Sequence, residues 1–196
     1  MACSPGRPES VSAGSILEIA GLAIVISLIS LAVGFYNAQS QQRMVAATSW
    51  PFLVYHTMRV DKRLTLRIAN EGVGPARLKS VIVRYRGREA RNLADLLHIC
   101  CGFQAGASWT QLNKLDLAWE GEAIGLYRAG EHADIIVMDR KSANEAVWKQ
   151  LADSRLHLKF EACYCSVLND CWTSDLDPLT DPRPVSYCPN IKGYRE

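Results

Sequence analysis

Leu64-Thr65-Leu66-Arg67-Ile68-Ala69-Asn70-Glu71-Gly72-Val73-Gly74-Pro75-Ala76, continued by Arg77 and Leu78-Lys79-Ser80-Val81-Ile82-Val83-Arg84-Tyr85, is the stretch whose reading decides the fold. Leu64, Leu66 and Ile68 alternate with Thr65 and Arg67, the period of a strand that buries one face. Val81, Val83 and Tyr85 repeat that spacing, so a second strand is predicted over 78–85. The residues between them favour a turn. Gly72 and Gly74 are expected at positive φ, where a Cβ is penalised, and Pro75 sets the exit angle. Asn70, Gly72, Gly74 and Pro75 are therefore read as a structural turn rather than a chemical site.

Working outward, the same period recurs. Phe52-Leu53-Val54-Tyr55 follows Pro51 as a short strand, and Ile124–Tyr127 with Ala133–Met138 reads as a pair around Ala129-Gly130-Glu131. In Leu156–Ala162 the alternation points Leu156, Leu158, Phe160 and Ala162 inward, leaving His157 outside, and Cys171-Trp172-Thr173 opens the last strand. Two short helices interrupt the strands. Asn92 caps 93–100, with Leu93, Leu96, Leu97 and Cys100 on one face, and Ser142-Ala143-Asn144-Glu145 is a capping box opening 143–152, with Val147 and Leu151 inward. From about 176 the prolines 178, 182, 184 and 189 predict an irregular tail. Residues 48–196 are thus expected to form a mostly β domain, an immunoglobulin-like β-sandwich with two inserted short helices.

The Asn70-Glu71-Gly72-Val73-Gly74-Pro75-Ala76 turn between two strands resembles the B–C connection of the bacterial immunoglobulin-like modules called CARDB. The hairpin Cys163-Tyr164-Cys165-Ser166 … Cys171-Trp172 is similar to one that ends some bacterial membrane-anchored proteins. The resemblance covers about a quarter of the chain, 64–85 and part of the hairpin. It implies a binding or scaffolding role with no catalytic residues to carry over. The two helices and the cysteines depart from the simple module.

Upstream lies a segment of another kind. Ile16–Tyr36 reads ILEIAGLAIVISLISLAVGFY, and no charge occurs from Ile19 to Gln42. Roughly 21 residues at 1.5 Å each span about 30 Å, the hydrocarbon thickness, and a lone span must be helical to satisfy its backbone. Glu18 on one side, Tyr36 and Arg43 on the other, mark the interfaces. Residues 1–15 are expected as a tail, 16–47 as a transmembrane helix with a juxtamembrane extension stopped by Pro51. A cleavable signal peptide is the competing reading, with Ala38-Gln39-Ser40 as its cleavage site. The apolar run is long for that, and the leading segment holds only Arg7, offset by Glu9. Arg43, Arg59, Lys62 and Arg63 follow the helix, and by a positive-inside count they keep the domain in the cytoplasm. The cysteines argue the reverse. Of 7 Cys, Cys3 precedes the helix and Cys100, Cys101, Cys163, Cys165, Cys171 and Cys188 follow it, an even set suited to an oxidising compartment. Long domains translocate largely regardless of charge, so a single-pass protein of a bacterial inner membrane with a periplasmic domain is expected.

Composition excludes several classes. With 48% hydrophobic and 21% charged residues and a formal net charge of +2, the chain is neither disordered nor basic enough for a nucleic-acid binder. No G-x-S-x-G, H-x-x-x-H or phosphate loop occurs, and His56, His98, His132 and His157 sit on unlike elements. No catalytic residue, cofactor or metal ligand is assigned. Cys163-x-Cys165 lies on a predicted strand rather than at a helix start, unlike a redox C-x-x-C, and a zinc site would prefer two C-x₂₋₄-C pairs; structural disulfides are the preferred reading. Cys165 and Cys171 should meet across a hairpin, with Cys163 a rival for Cys171, and Val167, Leu168 and Trp172 form a possible docking tip. Asp175, Asp177 and Asp181 lack the glycine of a calcium loop. Arg84, Arg86 and Arg88 are placed on one face of the third strand, either a patch for anionic partners or a solvated face that guards an edge. The expected function is a membrane-tethered binding or scaffolding module, not an enzyme, that recognises a protein partner in or at the same membrane. The alternatives are a subunit of a membrane complex, or a thiol-redox or metal-handling protein using the domain cysteines.

Overall fold

The computed structural model describes residues 13–118 and 124–189; the expectations for Cys3, Arg7 and Glu9 lie outside the described residues. The chain divides into two units, Met1–Val45 and Ala46–Glu196.

The described residues of the first unit are helical. Helix α1 runs over Ala13–Thr48, 36 residues, and from Gly21 onward nothing in it is buried; its apolar window has a mean hydropathy of 1.9. At 1.5 Å per residue the helix is about 54 Å long, more than the roughly 30 Å of a hydrocarbon core. Leu22, Ile24, Val25, Leu28, Leu31 and Phe35 are exposed in several directions, so there is no apolar stripe for a protein core to cover. Ser27 donates its hydroxyl to the Ala23 carbonyl at 2.8 Å and needs no outside partner. By length and composition this helix is able to cross a membrane. It ends before Pro51, whose ring excludes helix from the preceding residue.

The second unit carries the strands β1 (Leu53–Val60), β2 (Arg63–Asn70), β3 (Ala76–Tyr85), β4 (Arg88–Ala90), β5 (Leu117–Ala118), β6 (Gly125–Tyr127), β7 (His132–Asp139), β8 (Leu158–Cys165), β9 (Cys171–Ser174) and β10 (Arg183–Val185). All pairings are antiparallel, in two sheets ordered β1-β2-β7-β5 and β10-β9-β8-β3-β4, with β6 beside the start of β3. The helices are α2 (Leu93–Cys101), α3 (Trp109–Asn113) and α4 (Glu145–Ser154), the last followed by a 3-10 turn at Arg155–His157. Both sheets feed one core: Leu64, Leu66 and Ile68 of β2 with Ile136 and Met138 of β7, against Leu78, Val81 and Val83 of β3 with Phe160 and Tyr164 of β8. Tyr55 of β1 stacks on Phe160 at 4.0 Å between ring centroids. Helices α2 and α4 add Leu93, Leu96, Leu97, Trp148 and Leu151.

Several expectations are corrected. Ile124–Tyr127 does not pair with Ala133–Met138: β6 joins β3 in one sheet, while β7 joins β2 and β5 in the other. The tight turn at Arg128–Glu131 is present, with Glu131 N donating to Arg128 O, but there the chain crosses between sheets. Leu156 is 68% exposed because the 3-10 turn delays β8 until Leu158; Leu158, Phe160 and Ala162 are buried as expected. Asn92 caps α2 by accepting from Asp95 N, yet Cys101, not Cys100, completes its buried set, because Gly102 at φ 65 ends the helix there. The capping box at Ser142 does not form. Asn144 is buried instead, accepting from Lys141 N and donating to the carbonyls of Leu115 and Asp139, and α4 turns Trp148 inward beside Leu151. Helix α3, a third one in the domain, was not expected. The tail is less irregular than its prolines suggest, since β10 pairs with β9; Pro184, with no N–H, is tolerated because β10 is an edge strand.

Candidate functional site at the loop end of the domain

Asn70, the last residue of β2, is fully buried. Its side-chain oxygen accepts from Phe52 N at 3.2 Å and Gly72 N at 3.1 Å, and its amide nitrogen donates to the carbonyls of Gly74, Tyr127 and Arg128 at 2.8, 3.1 and 3.2 Å. Its backbone N–H donates to Glu131 O, and its carbonyl accepts from Gly130 N. One amide thus ties together the start of β1, the 71–75 turn and the β6–β7 crossover.

The glycines of this turn are required for a reason other than the expected one. Neither Gly72 nor Gly74 stands at positive φ. A Cβ on Gly72 would lie 2.3 Å from Phe52 N, and one on Gly74 would lie 2.1 Å from the Ser49 carbonyl. Gly74 N also donates to Trp50 O at 3.1 Å. The turn is pressed against the segment by which the chain enters the domain, and only hydrogen fits.

The β8–β9 hairpin belongs to the same end. Arg77, next to the turn, donates to Ser166 O at 2.9 Å and to the Asn169 side-chain oxygen. Asn169 at φ 66 takes the left-handed position of the hairpin loop, which Asn tolerates, and Ser166 N donates to Asp170 O at 2.8 Å. The loop tip leaves Val167 and Leu168 half exposed, at 50% and 48%; Val73 of the turn is 65% exposed. Trp172 is not part of the tip: opposite Tyr164 in the ladder, it packs against the core, with the two ring centroids 6.1 Å apart. Burial pushes the Tyr164 hydroxyl up to about 12, an effect the nearby Leu53 backbone partly offsets; burial, then the Glu131 carboxylate, raises Tyr127 to about 12.

Three disulfides are formed: Cys165–Cys171 across the hairpin, Cys163–Cys188 tying the tail to β8, and Cys100–Cys101 at the end of α2. Cys163 and Cys165 alternate with the core residues Ala162 and Tyr164, so they leave the outer face of the sheet, where the tail covers them. Cys165 Sγ also lies 3.7 Å from Cys188 Sγ. Among the described residues, Cys165, Cys171 and Cys188 are the group whose ligand atoms lie close enough together for one metal ion.

The other sequence candidates do not converge. Arg84, Arg86 and Arg88 do not share a strand face: Arg84 on β3 pairs with Glu161 at 2.7 Å and Glu89 at 3.6 Å, Arg86 sits in the turn at φ 48 over the Tyr85 ring, and Arg88 is on β4. The hairpin that follows β3 turns the chain back after Tyr85, which breaks the expected alternation. His56 pairs with Glu71, and His98 donates to the Phe103 carbonyl. Asp175 and Asp177 accept from Asp177 N and Leu179 N, so both carboxylates are used in turns. Two surface hollows of about 210 and 280 Å³ are smaller than usual ligand pockets. No family model, curated protein or solved structure matches this chain. What the domain offers is therefore read from its own surface. Sequence reasoning counted Cys188 among the domain cysteines without assigning its partner and gave Arg77 no role at the hairpin, since both act through partners far away along the chain.

Proposed function

We propose that this chain is a membrane-tethered binding or scaffolding module that docks a protein partner in the same membrane through the loop end of its domain. The observation that carries this reading is the braced loop end, where Asn70 and Arg77 hold two turns that present Val73, Val167 and Leu168 to solvent. Rigid supports under exposed apolar side chains lower the ordering cost of docking.

The strand order supports an immunoglobulin-like sandwich. β1-β2-β7-β5 corresponds to A-B-E-D and β4-β3-β8-β9 to C′-C-F-G, with β10 added beyond G. In that arrangement the 71–75 turn is the B–C loop and the β8–β9 hairpin is the F–G loop, at the end that variable domains use for recognition; this part of the reading is analogy of fold. The length and apolar character of α1 support a single-pass signal-anchor, and the three disulfides support a periplasmic domain on a bacterial inner membrane.

The test is a double charge substitution at the tip, Val167→Asp with Leu168→Asp, in the native membrane. The variant is expected to fold with unchanged melting, since both side chains are half exposed, and to lose the larger complex that the wild-type chain forms in mild detergent. A wild-type chain that migrates alone, or a complex indifferent to the two charges, contradicts the reading. A second reading, metal or thiol chemistry at the hairpin, is favoured by the 3.7 Å approach of Cys165 and Cys188 sulfurs from different bridges.

A further inference from the structure

The sulfur atoms beneath the hairpin form one cluster, in which the two bridges meet at contact distance. Cys163 and Cys165 leave the same face of β8, Cys171 stands directly opposite Cys165 on β9, and Cys188 comes in from the tail. Across the two bridges, Cys165 Sγ lies 3.7 Å from Cys188 Sγ, and the sulfurs of Cys165, Cys171 and Cys188 all lie within 4.8 Å of one another; Cys163 lies outside that group and joins it through its bridge to Cys188. A tetrahedral thiolate site with metal–sulfur bonds of about 2.3 Å places its sulfurs about 3.8 Å apart. Cys163, Cys165 and Cys171 come from paired strands and Cys188 from the tail, so once the bridges are reduced the Cys163 side chain has only to turn toward the other three to complete the site.

A second observation concerns charge. Arg77 is the cross-strand partner of Cys165 on β3, on the same face. Its terminal nitrogen is bound to the hairpin loop, while its Nε–H is buried and has no hydrogen-bond partner. A buried donor left unused is costly, and a guanidinium beside sulfur favours the thiolate over the thiol. Four thiolates around a divalent cation carry a net charge of about −2, which a neighbouring arginine offsets.

We propose that in the reduced chain Cys163, Cys165, Cys171 and Cys188 bind one divalent ion of the zinc class as a tetrathiolate, with Arg77 at its border. Each disulfide takes two electrons and two protons from a dithiol reductant, which leaves as its own disulfide; the four thiols then release four protons as the ion binds. In the reverse direction two equivalents of a disulfide oxidant take two electrons each and, with four protons from solvent, leave as dithiols, while the ion departs and the two bridges form. The loop around Val167 and Leu168 is closed in both states, by sulfur–sulfur bonds where the surroundings oxidise and by metal–sulfur bonds where they reduce. The sequence hides this site because the fourth ligand stands 25 residues from Cys163 and none of the four forms a C-x₂₋₄-C pair with another.

The experiment uses the full chain in detergent, reduced anaerobically with a phosphine that is then removed, and titrated with cobalt(II) chloride. One cobalt per chain is expected, with sulfur-to-cobalt charge transfer and the visible bands of a tetrahedral site, displaced by zinc(II) and absent from the unreduced protein. Cys188→Ser should weaken binding at least tenfold, whereas Cys100→Ser with Cys101→Ser leaves it unchanged. Alkylation with mass mapping needs no variant: zinc should protect Cys163, Cys165, Cys171 and Cys188, and not Cys100 or Cys101. A reduced chain that gives no tetrahedral cobalt spectrum, or in which zinc protects no cysteine or only Cys100 and Cys101, overturns the proposal. Either result leaves the docking reading standing, since that is decided at Val167 and Leu168.

Discussion

At Gly74 a methyl group would stand 2.1 Å from the Ser49 carbonyl, and at Asn70 one amide serves five backbone groups. Gly74→Val is therefore expected to lower stability by roughly 3 kcal/mol, as overpacking against backbone that cannot yield. Gly74→Ala should also be destabilising; because φ there is not positive, an alanine free of the clash would be neutral or stabilising, so the loss reports the close approach itself. Asn70→Ala leaves buried carbonyls and N–H groups without partners and should cost about 2–3 kcal/mol. Urea denaturation of the domain measures all three; an unchanged midpoint for Gly74→Val would refute the packing described here. The sequence made the turn legible and misidentified its cause. Glycine spacing reports where a chain bends, whereas the approach of Ser49 and Trp50 to that bend is a long-range contact with no local signature.

Among the elements, the β8–β9 hairpin was the most readable and the β6–β7 crossover the least. Alternation in Leu158–Ala162, a short loop with Asn169-Asp170 and a cysteine on either side of it together point to Cys165 facing Cys171. Ile124–Tyr127 followed by a turn and Ala133–Met138 carries the same local pattern, but the two strands enter different sheets. Tyr127 of β6 is buried beside the start of β3, and Asn70 takes the carbonyls on either side of the departure, neither of which a local period encodes. Likewise Trp148 was missed as the inward residue of α4; its indole N–H donates to Met138 O at 3.1 Å, which gives a large polar-edged ring a buried partner. The two hairpin bridges should differ in weight. Cys163–Cys188 closes a separation of 25 residues and Cys165–Cys171 one of 6, worth about 3.5 and about 2 kcal/mol in chain entropy. In the oxidised domain, Cys163→Ser with Cys188→Ser is thus expected to lower the melting temperature more than Cys165→Ser with Cys171→Ser. Equal shifts in calorimetry would contradict this order, and non-reducing peptide mapping checks the pairing itself.

For the whole molecule, the apolar helix and the two-sheet domain were both legible, because each rests on a composition or period sustained over many residues. The core also sets a pH dependence. Tyr127 and Tyr164 ionise near 12 when folded and near 10 when unfolded, so their contribution is complete below pH 10 and is lost as pH rises through 12. Burial raises Tyr55 as well, so ultraviolet titration should show three tyrosines ionising late, with stability falling from pH 10 upward; normal ionisation of all tyrosines in the folded domain would contradict their burial. The proposed anchoring predicts that intact mass of membrane-extracted protein includes the residues before Gln41, and that alkaline washing leaves the chain in the membrane. The account as a whole turns on what the loop end touches. The most direct measurement is site-specific photo-crosslinking in native membranes from position 168, with position 179 as the control, since Leu179 is 94% exposed in the tail, outside the loop end. One discrete protein adduct from 168 and none from 179 is the predicted result. No adduct from 168, or the same adduct from both positions, would contradict docking through the loop end.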